Sequence, residues 1–195
     1  LLAASALGLG PRRHADELAP SGGAELAAEV GALSADHLAA PSAAGIAALA
    51  AAADAGRPVV AVLLPATTWF LMKDRHAPAR RFIEAGVPVA LGTDFNPGTS
   101  PTPSLPLVMT LAALHLRMTP AEALAAVTAN AAHALGLGEE IGSLEPGKAA
   151  DLVVWRGPSI AQIPYWPAAD LVSVVVKRGR IISIASIIGL IGNPG

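Results

Sequence analysis

The apolar residues of this chain fall into short continuous runs, and each run ends in polar side chains. The two clearest are residues 58–64 (PVVAVLL) and 87–91 (VPVAL), which are rich in β-branched residues, and the first of them closes at residues 65–68 (PATT). Runs of this length and composition are typical of strands buried on both faces of a parallel sheet. Two shorter runs precede them, one closing at His14 and the other covering residues 32–37. The pattern therefore predicts four strands before residue 95.

Alanine-rich or amphipathic stretches between these runs predict helices. They cover residues 24–30, 43–55 and 77–85. Strands that alternate with helices of this length indicate parallel βα units, and such sheets carry their functional residues at the carboxyl ends of the strands. His14, His37 and Asp94 all occupy that place in the pattern. We therefore predict an α/β fold with these three side chains at one edge of the sheet.

The pattern changes after Asp94. Thr119-Pro120 is a typical helix start, with an N-cap residue and a proline at the first position. A barrel of eight βα units needs about 250 residues, and only four such strands are predicted here. The chain is therefore either a small open sheet or half of a barrel, followed by a small β appendage. The predicted elements are helices at 105–116, 121–128 and 130–135, a turn cluster at 142–148, and strands at 151–155 and 172–177 around Gly179.

Composition narrows the function classes. The chain is 53% hydrophobic and 14% charged, with a formal net charge of −2 and scattered Lys and Arg, so we expect a globular protein that does not bind nucleic acid. Cysteine is absent, so any metal must be held by His and carboxylates. The apolar run at 181–191 is shorter than the roughly 20 residues that span a bilayer. We predict a terminal strand there, no membrane association, and a cytoplasmic protein.

Asp94 needs a partner, because a carboxylate at the mouth of a buried strand is costly to desolvate. Two interpretations are open. Asp94 either caps the following turn through backbone N–H groups, or it is a metal ligand or proton carrier. His14 and His37 favour the second, because imidazole and carboxylate suit a catalytic zinc or ferrous ion that lowers the pKa of its water to roughly 7. The other histidines, which have no acidic or strand-end context, are expected to be structural: His76, His115 and His133.

Several sequence pieces resemble the second half of the imidazolonepropionases, a family within the metal-dependent amidohydrolase superfamily. The resemblance covers about residues 8–182. The HADEL and GTDFNPGTSPT pieces are specific to that family, whereas SLEPGKAADLVV is shared by the superfamily. The full set is HADELAPSGGAELAAEVGALSADHL, VAVLLPATTWFL, GVPVALGTDFNPGTSPTPSLPLVM, MTPAEALAAVTANAAHALGL and IGSLEPGKAADLVVW.

The resemblance implies a distorted TIM barrel and a β-sandwich built from both chain ends. Residues 1–138 would then be a partial TIM-like (β/α) barrel, strands 5–8 of eight, and residues 139–195 a C-terminal segment of the sandwich. The family uses one divalent metal ion, zinc or iron, to open the ring of 4-imidazolone-5-propanoate to N-formimidoyl-L-glutamate in histidine degradation. Two alternatives stay open. One is another cyclic-amide hydrolase or deaminase of the superfamily, and the other is a non-catalytic half barrel that pairs with a copy of itself as a homodimer.

The resemblance also implies roles for individual residues. His14 and Asp94 would be metal ligands, Glu17 would hydrogen-bond the substrate ring, and His37 would lie beside the attacking water. Asp94 or Glu17 would deliver a proton to the leaving nitrogen. The substrate's propionate, or the product, would be held by the turn residues Asn96, Gly98 and Thr99.

Two departures from the family limit this prediction. The family takes two further metal ligands from a His-x-His pair on its first strand, and no such pair exists in these 195 residues. The tail ISIASIIGLIGNPG does not resemble the family's ending. The sequence therefore predicts half of a metal site.

Overall fold

The structure is a computed structural model that describes residues 7–184. Its first sheet contains four parallel strands in the order β1-β2-β3-β4. The register places His14 beside Asp36 and Val62 beside Ala90. This arrangement confirms the predicted α/β class and the partial barrel. The strands are β1 (Arg12–Ala15), β2 (Ser34–His37), β3 (Val60–Leu63) and β4 (Val89–Leu91).

Helices connect these strands close to where the sequence predicts them. The connections are α1 (Gly23–Glu29), α2 (Ala43–Asp54), and α3 (Pro65–Phe70) with α4 (Ala79–Glu84). The short helix α3 is missing from the sequence prediction, which treats residues 65–68 as the polar end of a strand. A proline at the first helical position explains it, because proline is preorganised to begin a helix.

One face of the sheet forms the main hydrophobic core. Ala15, Leu63 and Leu91 point to this face and are buried, together with Leu49 of α2 and Phe82 of α4. The residues that alternate with these along the four strands point to the opposite face. These are Arg12, His14, Ser34, Asp36, Val60, Val62 and Ala90.

The opposite face is covered unevenly. Near β3 and β4, Val60 and Ala90 pack with Ala134 in a second, smaller cluster. Near β1, Arg12 and His14 are exposed. Within residues 7–184, β1 pairs with β2 alone, so it is an edge strand. Edge strands present unpaired backbone groups that another strand can join.

Three helices follow the sheet: α5 (Leu105–His115), α6 (Pro120–Val127) and α7 (Ala129–Ala134). The predicted N-cap at Thr119 is confirmed, and its hydroxyl and Glu122 form a reciprocal capping box. The run predicted to continue from α6 into α7 is interrupted at Thr128, which has non-helical backbone angles. Helix α7 packs against β3 and β4, and the Asn130 side chain donates a 2.7 Å hydrogen bond to the Val89 carbonyl.

A second, antiparallel sheet contains β5 (Leu152–Trp155), β6 (Val172–Lys177) and β7 (Arg180–Ile184). Strand β7 covers the start of the terminal strand predicted at 181–191; the rest of that strand, like most of the tail ISIASIIGLIGNPG, lies outside the described residues. Helix α8 (Gln162–Tyr165) packs on α5. The division into units 1–138 and 139–195 stays a prediction. No helix in the described part of the chain is long and apolar enough to cross a membrane.

Candidate functional site

The candidate residues gather beyond the carboxyl ends of the parallel strands. His14 is the penultimate residue of β1, His37 ends β2, and Asp94 follows β4 after two residues. The backbone is unusual at the same places, since φ is 47° at Asp16, 73° at His37 and 50° at Asp94. Non-glycine residues rarely adopt positive φ, and such conformations concentrate at functional sites. The rim of the sheet is therefore both polar and locally strained.

His37 lies at the centre of this group. Its side chain is only 7% exposed, its ring centroid is 5.0 Å from that of His14, and its Nε2 is 3.8 Å from Glu17 Oε2. Burial lowers the pKa of His37, while the carboxylates of Glu17 and Asp94 act in the opposite direction. The net pKa is lowered, which favours the neutral imidazole at neutral pH. His37 can therefore accept a proton or donate one N–H.

The Asp94 carboxylate is held by a side chain rather than by the following turn. The Thr67 hydroxyl donates a 2.7 Å hydrogen bond to Asp94 Oδ2. Within residues 7–184, no backbone N–H donates to this carboxylate. Asn96 caps the turn instead, because its Oδ1 accepts the N–H groups of Gly98 at 2.9 Å and Thr99 at 2.8 Å. The capping interpretation of Asp94 is therefore wrong, and the interpretation as a ligand or proton carrier stays a prediction.

The same turn contains three predicted substrate-binding residues. The amide N–H groups of Gly98 and Thr99 already donate to Asn96 Oδ1, and Asn96 Nδ2 donates to the Asp94 carbonyl and to Thr99 Oγ1. Because Thr99 Oγ1 accepts in that contact, its own hydroxyl proton is available. The roles of Asn96, Gly98 and Thr99 stay predictions. Of these three residues, Thr99 has a hydroxyl donor that a ligand could still use.

Asp16 is a site-forming residue that the sequence interpretation missed. Its carboxylate is buried and accepts four hydrogen bonds, from Ser21 N at 2.7 Å, Ser21 Oγ at 3.0 Å, Gly23 N at 3.1 Å and Ala24 N at 3.0 Å. Burial raises the pKa of Asp16, but the hydrogen bonds outweigh it and hold the pKa below its ordinary value. Asp16 thereby fixes the turn that follows β1 and carries Glu17. The available signal was an acid six residues before a Gly-Gly pair at a helix start.

Three further residues were also missed. Thr67 holds Asp94, and Asp36 lies beside His14 in the sheet register, where burial raises its pKa. Lys73 Nζ lies 3.6 Å from Glu17 Oε1. The rule that functional residues follow the carboxyl ends of parallel strands could have identified Thr67, because Thr67 follows β3 as Asp94 follows β4. Nothing in the sequence pattern pointed to Lys73.

The arrangement fits part of a metal-ligand set. Among residues 7–184, the ring of His14 and the Oδ1 atom of Asp94 make no hydrogen bonds, so one imidazole nitrogen and one carboxylate oxygen have a lone pair available for a cation. Catalytic zinc usually takes three protein ligands. The described residues contain no group of three His, Cys, Asp or Glu side chains that could hold a metal ion. His14 and Asp94 therefore suit two ligand positions at most.

Comparison with known proteins identifies relatives along most of the chain. The model of the amidohydrolase family matches residues 24–182. The imidazolonepropionase of Geobacillus kaustophilus (strain HTA426) is 58% identical over 182 residues, which cover 93% of this chain and 42% of the relative. That of Symbiobacterium thermophilum is 51% identical over 179 residues, covering 92% of this chain and 41% of the relative. The chain thus spans about two fifths of the length of these relatives.

Solved structures share the fold. An adenosine deaminase from Xanthomonas campestris with bound zinc superposes with a TM-score of 0.75 at 23% identity, over 94% of this chain and 47% of that one. The atrazine chlorohydrolase TrzN from Arthrobacter aurescens TC1, complexed with zinc, gives a TM-score of 0.70 at 23% identity, over 93% and 46%. The curated relatives confirm the resemblance drawn from the HADEL and GTDFNPGTSPT pieces. The family model, which matches residues 24–182, establishes together with the parallel sheet and its polar rim that the chain belongs to the amidohydrolase family.

Proposed function

We propose that this chain is part of a metal-dependent hydrolase that opens the ring of 4-imidazolone-5-propanoate to N-formimidoyl-L-glutamate in histidine degradation. The observation that carries the proposal is the gathering of His14, Glu17, His37 and Asp94 at one rim. Imidazolonepropionases that are 50% to 58% identical over at least 90% of this chain support it. Because those relatives are more than twice as long, the activity is assigned to the full-length protein.

The proposed cofactor is one divalent metal ion, zinc or iron. His14 and Asp94 would supply an imidazole and a carboxylate, the ligand types that suit either ion. Two structural neighbours contain zinc, which supports a divalent ion. When bound, the ion would supply a water activated for attack near neutral pH.

Glu17 is proposed to bind the substrate ring. Its two oxygens lie 3.8 Å from His37 Nε2 and 3.6 Å from Lys73 Nζ, and both distances are longer than a hydrogen bond. Both oxygens therefore keep the capacity to accept a ring N–H. A carboxylate held between two positive or polar groups is also well placed to fix the orientation of that ring before reaction.

His37 and Asp94 are proposed to handle protons and charge. Ring opening adds one water across a C–N bond, so the attacking water must lose a proton and the leaving nitrogen must gain one. Asp94 Oδ1 can take up the first proton, since Thr67 binds only Oδ2, and Asp94 in its protonated form, or Glu17, can then deliver a proton to the leaving nitrogen. His37 can donate an N–H to the oxyanion that forms on the ring carbonyl.

The experiment is a ring-opening assay of the full-length protein with 4-imidazolone-5-propanoate, run beside other cyclic amides and aminated heterocycles. The proposal predicts preferential turnover of the imidazolone and its loss in Asp94→Asn. Turnover of another ring without turnover of the imidazolone would support the alternative, a different hydrolase or deaminase of the superfamily.

A second candidate is a non-catalytic half barrel that forms a homodimer. The exposed edge of β1, with His14 and Arg12 on its uncovered face, supports this pairing. Light scattering of the purified 195-residue chain, combined with metal analysis, separates the two. A metal-free dimer without ring opening would favour the half barrel. A cytoplasmic location also stays a prediction.

A further inference from the structure

Lys73 is a cation at the rim that the proposed mechanism does not use. Its Nζ lies 3.6 Å from Glu17 Oε1, while Glu17 Oε2 faces His37 and the His37 ring lies 5.0 Å from His14. Successive contacts therefore connect a candidate metal ligand to an ammonium group, in the order His14, His37, Glu17 and Lys73. We propose that Lys73 binds the carboxylate on the side chain of an anionic substrate whose ring is held by Glu17. This inference rests on the proposed function.

The backbone of Lys73 is fixed by the same helix that supports Asp94. The Lys73 N–H donates to the Thr68 carbonyl at 3.1 Å, just after a residue with a positive φ of 50°, Met72. Thr68 belongs to α3, and its neighbour Thr67 donates to Asp94. Helix α3 therefore links the position of Lys73 to a predicted metal ligand.

The Lys73 ammonium has donors available. An ammonium carries three N–H donors, and within residues 7–184 Lys73 Nζ makes an ion pair at 3.6 Å but no hydrogen bond. Its side chain is 31% exposed, so a ligand can reach it. An ion pair this exposed contributes little to stability, so Lys73 can turn its free donors to a substrate carboxylate at little cost while it stays beside Glu17.

The turn that was predicted to hold the carboxylate is less suited to the task. The N–H groups of Gly98 and Thr99 are already bound by Asn96 Oδ1. Glu17 adds a further requirement, because a second carboxylate beside it needs a cation to offset the repulsion. The Lys73 ammonium group, which already lies beside Glu17, supplies that positive charge. This role agrees with the proposed substrate, an N–H heterocycle with a short acidic side chain.

The test uses the metal-loaded full-length protein and the variants Lys73→Met and Lys73→Arg. Lys148→Met is the matched control, because Lys148 also pairs with a glutamate, Glu145 at 3.3 Å, in the turn before β5. Ring opening is measured with 4-imidazolone-5-propanoate. Binding is measured with imidazole-4-propanoate and with 4-propylimidazole, which lacks the charge.

We expect Lys73→Met to raise KM about tenfold or more with a much smaller change in kcat, which is the effect of losing one charged hydrogen bond to substrate. It should weaken binding of the anionic probe by a similar factor and leave the neutral probe unchanged. Lys73→Arg should recover most of the loss. Lys148→Met should behave as wild type.

Three outcomes would overturn the inference. If Lys73→Met matches Lys148→Met on every measure, Lys73 has no role in binding. If both probes weaken equally, Lys73 acts on structure rather than on the charged side chain. If the wild-type protein does not open the imidazolone ring, the proposed function fails and this inference fails with it. An active wild type with an unaffected Lys73→Met variant rejects the role of Lys73 alone.

Discussion

The two predicted metal ligands of this chain lie in very different surroundings. Asp94 follows β4, which is buried along its whole length, and the Thr67 hydroxyl holds its carboxylate. His14 lies on the edge strand β1, where its side chain is exposed and makes no hydrogen bond within the described residues. The fold therefore fixes the Asp94 carboxylate through a hydrogen bond of its own and leaves the His14 side chain at an open edge of the sheet.

The largest expected effect comes from the fixed ligand. Asp94→Asn keeps the shape of the side chain but removes the negative charge, so ring opening by the full-length protein should fall by about 10³-fold or more, as when an essential group is removed. Metal content after dialysis should fall as well. Asp54→Asn, in an exposed position at the end of α2, is the control. An unchanged rate in Asp94→Asn would remove this residue from the metal site.

The exposed residue His14 lies just before a turn that Asp16 organises. Asp16→Ala should lower the free energy of unfolding by on the order of 2 to 4 kcal/mol, because buried N–H donors lose a charged acceptor. Denaturant titration measures this loss. Glu29→Ala, at an exposed position of α1, should change stability by less than about 0.5 kcal/mol. Equal effects in the two variants would show that the Asp16 contacts add little.

The support of Asp94 can be tested without touching the carboxylate. Thr67→Val removes the hydroxyl that donates to Asp94 Oδ2 and keeps the branched shape. Loss of such a partner typically costs about 10- to 100-fold in metal affinity or activity. Thr68→Val, one residue along the same helix, is the matched control. If both variants bind metal equally well in a competitive chelator titration, Asp94 does not need Thr67.

The smallest effect concerns α6, away from both ligands. Burial raises the pKa of Glu122, but hydrogen bonds from Thr119 and Arg80 outweigh it and lower the pKa below its ordinary value. The stabilisation is therefore present above the pKa of the unfolded chain and is lost as the pH falls through the lower folded pKa. Thr119→Ala should cost about 1 kcal/mol.

The Thr119→Ala loss should be larger at pH 7 than under acidic conditions. Unfolding titrations of wild type and variant at both pH values measure it. Because the capping-box hydrogen bonds join only Thr119 and Glu122, and neither residue contacts His14 or Asp94 among the described hydrogen bonds, metal affinity should stay unchanged. A pH-independent loss would mean that the Thr119 hydroxyl does not help to lower the pKa of Glu122.

The parts of the molecule that local pattern controls were predictable from sequence. Strands β3 and β4 are continuous apolar runs, and the Thr119 cap precedes a proline, so both follow from neighbouring residues alone. Helix α3 was missed because Thr67 and Thr68 suggested a polar strand end, whereas packing against α5 supports a helix.

The site was predictable only in part, because its supporting contacts join residues distant in sequence. His14, His37 and Asp94 follow from the strand-end rule. Thr67 and Asp94 are 27 residues apart, and no spacing rule connects them. Lys73 meets Glu17 across the rim in the same way. Such partners become visible only when the register of the sheet is known.

The central claim is that His14 and Asp94 share one metal ion. The most direct measurement is a crystal structure of the full-length protein with zinc or iron, located by anomalous scattering at the absorption edge of that metal. We expect a single ion about 2.0 to 2.2 Å from an imidazole nitrogen of His14 and from a carboxylate oxygen of Asp94. An ion bound by only one of these residues, or bound elsewhere, would contradict it.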